Sequence, residues 1–224
     1  MLYVAFATGT EPGKWFTRFR ENTAHGGLET AAADDALAEV LAGHADVAIA
    51  RIPREGGDSR AGEGFHQVFL YEEAPGVAVP KDSIYAEMGE DVAKQDLAGE
   101  IINYRLGDDG AVDVAAVRAG LQVVGANVGI VIAPRPLLKV LSKKQVKPLG
   151  LNDPEVPRTA IVLIWPKDKD GDAIQDFVGI TKGRTANSSR QEKPKRSARE
   201  KAQRRAKVAQ PPSPRTASKR GRRR

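Results

Sequence analysis

The chain has 224 residues, a net charge of +6 and no cysteine, which excludes disulfides and thiolate metal centres and leaves room for one ordinary domain, or one domain and a tail. The charge is unevenly placed: Lys182 to Arg224 carries 17 Lys and Arg against two acids, Glu192 and Glu200, whereas residues 1–181 hold 18 basic and 27 acidic residues. An acidic globule joined to a basic tail is expected. The first residues lack the charged start of a secretory signal and no apolar run reaches membrane-spanning length, so a cytoplasmic chain with no membrane partner is expected.

Leu2 to Phe6 reads as a buried first strand, followed by a loop of small and hydroxyl residues, Ala7-Thr8-Gly9-Thr10. Pro12 suits the first turn of a helix striped by Trp15, Phe16 and Phe19. A strand, a small polar loop and a helix start together form the general shape of an anion cradle, and equally an ordinary βα unit. Leu28 to Ala33 reads as a weak strand. Asp34 or Asp35 then caps a helix with Leu37, Val40 and Leu41 facing inward, closed by Gly43. Asp46 to Ala50 is a third strand leading to Arg51. Residues 54–64, rich in glycine and charge, read as a mobile loop. Phe65–Tyr71 and Gly76–Pro80 read as strands, 82–97 as a polar helix, and Glu100–Tyr104 as a brief strand.

The most ordered signal lies in residues 113–138. Asp113 caps a helix whose face is Val114, Val117, Leu121 and Val124. Gly125 is expected to end it in the left-handed conformation, and Val128 to Ile132 form a strand closed by Pro134 and Pro136. The turn Gly125-Ala126-Asn127 carries so little bulk that its amides can approach a small ligand. A short helix over Leu137–Leu141, strands at Val146–Leu151 and Thr159–Trp165, and a helix over Ile174–Ile180 complete the globule. Alternating strands and helices predict an α/β fold with mostly parallel strands, its ligand loops beyond the strand carboxyl ends at 7–10, 51–53, 103–105 and 125–127.

No catalytic constellation stands out. The GxGxxG, HExxH and GxSxG patterns are absent, and His25, His44 and His66 have no ligand spacing. No metal, no cofactor and no enzymatic activity are expected. Arg51 ends a buried strand, where an arginine needs an anionic partner, either a ligand or a protein carboxylate; Arg105 has the same ambiguity. In the tail, Val208 is the only branched aliphatic residue, so 182–224 is expected to be disordered. Its expected nucleic-acid contacts are Lys193, Lys195, Arg196, Arg199, Lys201, Arg204, Arg205, Lys207, Lys219, Arg220, Arg222, Arg223 and Arg224.

The order of motifs resembles the LysR substrate-binding (effector) domain. The resemblance rests on Pro12-Gly13-Lys14-Trp15 after a first strand, Ala38 to Ile49 with its Gly43 and Asp46, Gly76 to Pro80, Asp96-Leu97-Ala98-Gly99-Glu100, Val123 to Pro134, and Thr159–Trp165 followed by Phe177-Val178. It covers about residues 2–180. It implies a two-lobed type 2 periplasmic-binding fold, with lobe I at 1–73 and 158–181, lobe II at 74–157, and a disordered basic tail at 182–224. A small effector, expected to be a carboxylate, would sit between the lobes. The positions matching the family's contacts are Thr8, Gly9, Thr10, Asn103, Gly125, Ala126 and Asn127, with Arg51 and Arg105 added on the charge argument. The family's winged helix-turn-helix has no counterpart in the sequence, and lobe II is short. A homodimer through residues 13–22 and about 135–142 is also implied. The expected role is effector sensing in transcription regulation; the other reading is a nucleic-acid-associated protein whose globule is a scaffold or dimerisation unit.

Overall fold

The computed structural model describes residues 1–183, so the expectations for 184–224, including every nucleic-acid contact assigned above, lie outside the described residues. In chain order the elements are β1 (Leu2–Ala7), α1 (Gly13–Asn22), β2 (Leu28–Ala33), α2 (Ala36–Leu41), β3 (Val47–Pro53), β4 (Phe65–Glu72), β5 (Pro75–Pro80) and α3 (Ile84–Met88). There follow β6 (Val92–Ala93), β7 (Ile102–Tyr104), α4 (Val114–Gly125), β8 (Ile130–Pro134), α5 (Arg135–Leu141), β9 (Val146–Asn152), β10 (Thr159–Pro166) and α6 (Asp172–Thr181).

The strands form two five-stranded sheets, β2-β1-β3-β10-β4 and β6-β9-β5-β8-β7. Both are mixed rather than mostly parallel. β10 returns from the second sheet and enters the first from the crossover side, so it runs against β3 and β4. β5 arrives from the first sheet and runs against β8 and β9 for the same reason. β1 with β2 and β3, β6 with β9, and β7 with β8 are parallel.

Each sheet buries both faces. In the first, Leu2, Val4, Ile49, Ile161 and Leu163 pack under Phe16 and Phe19 of α1 and Phe177 of α6, while Ala48, Ala50 and Val162 pack under Leu37 and Val40 of α2. In the second, Ala78, Val131 and Ala133 meet Val117, Leu121 and Val124 of α4 and Leu137 and Leu138 of α5. The opposite face, built on Val77, Val79, Ile130, Ile132, Leu149 and Leu151, is covered only by short pieces around α3 and Leu97.

Several local expectations are corrected. The expected helix over 82–97 is broken into α3, β6 and a single 3-10 turn at Lys94–Leu97, because α3 buries no residue and ends at Gly89 in the left-handed region (φ 70°). Leu41 is 46% exposed rather than inward. Gly125 is the last residue of α4, and the left-handed position falls to Asn127 (φ 67°). Between Asp34 and Asp35, it is Asp35 that caps α2, accepting from the Ala38 amide at 3.0 Å. Among the described residues no helix is long and apolar enough to cross a membrane.

Candidate functional site: the cleft between the sheets

Strand register places the cleft. Thr159 pairs with Pro53 and Ala160 with Glu72, which brings the ends of β3 and β4 to the crossover edge of the first sheet. Pro75 pairs with Pro134 and Gly76 with Gly150, which brings the start of β5 and the ends of β8 and β9 to the facing edge of the second. Loops after β1, β2 and β3 therefore meet those after β7 and β8, as strand-end sites in α/β folds require.

Arg51 sits within β3, and the first crossover is fastened to it. Its Nε donates to Glu73 Oε2 at 2.6 Å, its Nη2 to Glu73 Oε1 at 2.9 Å and its Nη1 to the Thr8 carbonyl at 3.0 Å. Thr159, where the chain re-enters the first sheet, donates its hydroxyl to Glu73 Oε2 at 2.8 Å. The side chains of Arg51 and Glu73 are 5% and 0% exposed. A buried pair persists when its remaining hydrogen-bond capacity is filled in this way. Its own burial and then the Glu73 charge push the Tyr71 hydroxyl above its ordinary pKa.

A second, more exposed set of charges crosses the cleft. Asp34 Oδ1 accepts from the Thr8 hydroxyl at 2.7 Å and from Arg118 Nη2 of α4 at 2.7 Å, tying the two sheets together. Burial alone would raise the Asp34 pKa; the bonds from Thr8 and Arg118 outweigh it and hold the carboxyl below its usual range. Arg60 donates to Asp35 at 2.6 Å and to Asp58 at 2.6 Å, which pins the 54–64 loop that the sequence presents as mobile. Arg60's bonds lower the Asp58 pKa, and Asp58 and Asp35 raise that of Arg60. Asp34, Asp35, Arg51, Asp58 and Arg60, with Gly110, Val112 and Val114, line a cavity of about 120 Å³.

Gly9 closes the other side. Its φ is +91°, and a Cβ there would stand 2.7 Å from the Leu137 Cα of α5. Only glycine permits both that backbone and that approach.

The expected site residues thus divide. Thr8, Gly9 and Arg51 meet at the cleft. Thr10 is buried and turns its hydroxyl back onto the Ala7 carbonyl at 2.7 Å. Asn103 donates to the Val128 carbonyl at 2.7 Å, and Gly125, Ala126 and Asn127 form the last turn of α4 and its exit. That turn precedes Ile130, the end of β8 remote from Pro134, and lies roughly 17–20 Å along the helix from Val114 at about 1.5 Å per residue. The structure does not bring Asn103 or 125–127 to the cleft. Arg105 lines a separate cavity. Asp34, Glu73, Arg60 and Arg118 complete the cleft without standing out in the sequence as site residues. The spare member of the Asp34-Asp35 pair was the available signal; an arginine on a helix surface gives none.

Among the described residues no group of His, Asp and Glu is placed to hold a metal ion. His25 pairs with Asp176 at 2.9 Å and His44 with Glu39 at 3.0 Å.

No protein-family model matches the chain, and no curated protein sequence does. Solved structures do match. The effector-binding domain of BenM with its effector benzoate shares 15% identity at a TM-score of 0.59, over 86% of this chain and 95% of that one. Full-length CbnR complexed with its target DNA shares 16% identity at a TM-score of 0.58, over 82% of this chain and 69% of that one. An H2O2-bound cysteine-to-serine mutant of OxyR of Corynebacterium glutamicum shares 18% identity at a TM-score of 0.52, over 83% of this chain and 67% of that one. The described residues have the α/β, two-sheet, periplasmic-binding-like fold of LysR-type effector domains.

Proposed function

We propose that this domain is the small-molecule sensing module of a transcription regulator, with its effector bound in the cleft between the sheets. The observation that carries the reading is the Thr8–Asp34–Arg118 bridge: a carboxylate at the cleft mouth joins the loop after β1 to a helix of the other sheet. A ligand carboxylate has the same chemistry as Asp34. Entering there, it takes Arg118 and the Thr8 hydroxyl from Asp34 and releases one interlobe tie while making another. Gly9, packed against Leu137, and Arg51, which holds the Thr8 carbonyl, set the position of the loop that the ligand meets. BenM, of the same fold, has benzoate as its effector, which agrees with a carboxylate class.

The test is a thermal-shift screen of small carboxylic acids and their amides on purified protein, repeated on Arg118→Met. Carboxylates are expected to raise the melting temperature of the wild type and not of the variant. Stabilisation by amides as strong as by acids, or no loss in the variant, rejects the carboxylate reading.

A second reading rests on charge. With 17 Lys and Arg from Lys182 onward, we propose that the tail binds nucleic acid without sequence preference and supplies DNA affinity to the sensing module.

A further inference from the structure

The thinly covered face of the second sheet holds a larger cavity than that of the cleft. Its volume is about 500 Å³, within the roughly 300–1,000 Å³ of ligand pockets. Leu97, Ile102, Leu106, Ile132, Leu151 and Val156 supply its apolar lining. The cavity exists because only α3 and one 3-10 turn cover this face, where the opposite face has α4 and α5.

The charges around it decide what it takes. Lys94 and Arg105 stand against Glu100, Asp108, Asp153 and Glu155. Lys94 is held by Glu155 and lies 3.9 Å from Asp153. Glu100 lies beside Tyr85, whose hydroxyl is raised above its ordinary pKa by burial and then by the Glu100 carboxylate. Arg105 and Asp108 remain: three residues apart on the loop after β7, they make no hydrogen bond or ion pair with any described residue, nor with each other. A lone carboxylate would add a fifth negative charge to a rim with two cations, and a lone amine would leave Arg105 unmatched. A ligand bearing both charged groups on one carbon, with an apolar group attached, answers the two free side chains and the lining at once.

We propose that this cavity binds an α-amino acid with an apolar side chain, its carboxylate on Arg105, its ammonium on Asp108 and its side chain over Ile132 and Leu151. The cavity shares no lining residue with that of the cleft, and the proposal does not depend on the cleft's being an effector site.

Isothermal titration calorimetry on the full chain tests it, with phenylalanine and leucine against glycine, 3-phenylpropionate and 2-phenylethylamine. Phenylalanine or leucine is expected to bind at least tenfold more tightly than glycine and than either single-charge analogue. Arg105→Met and Asp108→Asn, both at exposed positions, are expected to weaken that binding at least tenfold, and Arg118→Met in the cleft to leave it unchanged. Methyl resonances of Ile102 and Ile132 in the wild type are expected to shift on titration, independently of any variant. No binding of either amino acid at millimolar concentration, equal binding of 3-phenylpropionate or phenylethylamine to the Arg118→Met variant, whose cleft no longer takes a carboxylate, or binding indifferent to Arg105→Met overturns the proposal. Phenylalanine or leucine binding that is lost in Arg118→Met and kept in Arg105→Met overturns the proposal; binding lost in Arg105→Met and kept in Arg118→Met supports it.

Discussion

Thr8 is held on both sides by arginine and carboxylate pairs that differ in solvent exposure, and the difference sets what each substitution does. Arg51→Met leaves Glu73, whose side chain is fully buried, with only the Thr159 hydroxyl as partner. Stranding one member of a buried pair costs about 3–5 kcal/mol, so urea denaturation is expected to show a loss of that size. This differs from the simplest expectation for a ligand-binding arginine, whose removal weakens binding and spares the fold. Arg118 and Asp34 are 43% and 46% exposed, so Arg118→Met is expected to cost no more than about 1 kcal/mol. Their coupling has a defined pH dependence. The folded pKa of Asp34 is lowered, so the stabilisation is complete above the unfolded carboxylate pKa and disappears as pH falls through the lower folded value. A double-mutant cycle of Asp34→Asn and Arg118→Met is expected to give a favourable coupling at neutral pH and none well below the ordinary carboxylate range; equal coupling at both would reject it.

At the scale of elements, two backbone positions carry the close joints. Gly9→Ala places a methyl 2.7 Å from the Leu137 backbone at a φ of +91°, so either the loop or α5 must move. Strain of about 1–3 kcal/mol is expected, read as a lowered denaturation midpoint together with increased protease access at the 8–10 loop. Asn127 holds the left-handed position after α4. Asn127→Gly is expected to be neutral within about 0.5 kcal/mol, and Asn127→Val to cost about 1–2 kcal/mol because a branched Cβ crowds the carbonyl there. These joints also show what sequence discloses. The strands Leu2–Ala7 and Thr159–Pro166 were legible because burial on both faces writes a continuous apolar run. The α4 face was legible by its three- and four-residue spacing. The 82–97 stretch was not, because helical spacing of polar residues has no buried face to sustain it, and Gly89 ends the helix after one turn and a half. In the cleft, the small-residue loop at Thr8–Gly9 and the misplaced charge of Arg51 were readable. The partners Asp34, Glu73 and Arg118 were not, since which carboxylate meets which arginine is decided by the packing of two sheets far apart in sequence.

For the whole molecule, the governing contrast is between 27 acids and 18 bases in residues 1–181 and the 17 bases and two acids that follow. Side-by-side pairing through α1 and α5, which the LysR resemblance implies, would bring Arg18, Arg20, Lys139 and Lys143 together. Of these, Arg20 already donates to the Leu28 carbonyl of its own chain at 3.1 Å. Such a pair is expected to tighten with added salt, checked by sedimentation at two ionic strengths. Nucleic-acid binding by the tail has the opposite sign. Each Lys or Arg on a phosphate releases condensed counterions, and a contact set of about 6–10 phosphates loses roughly 10³–10⁵ in affinity between about 50 and 200 mM salt. With one branched aliphatic residue in the segment, little besides this electrostatic term is available, and phosphate contacts carry no sequence information. The acidic globule competes for the same cations, but charges beyond about 8 Å are screened at physiological ionic strength, so a duplex with its dense line of phosphates prevails. Fluorescence anisotropy of the full chain on two unrelated duplexes is expected to give equal affinities that fall steeply with salt, and the 1–183 fragment is expected to bind neither while keeping its response to small ligands. Binding by the fragment equal to that of the full chain, or affinity unchanged by salt, would falsify the role of the tail and leave the sensing module without the DNA affinity proposed for it.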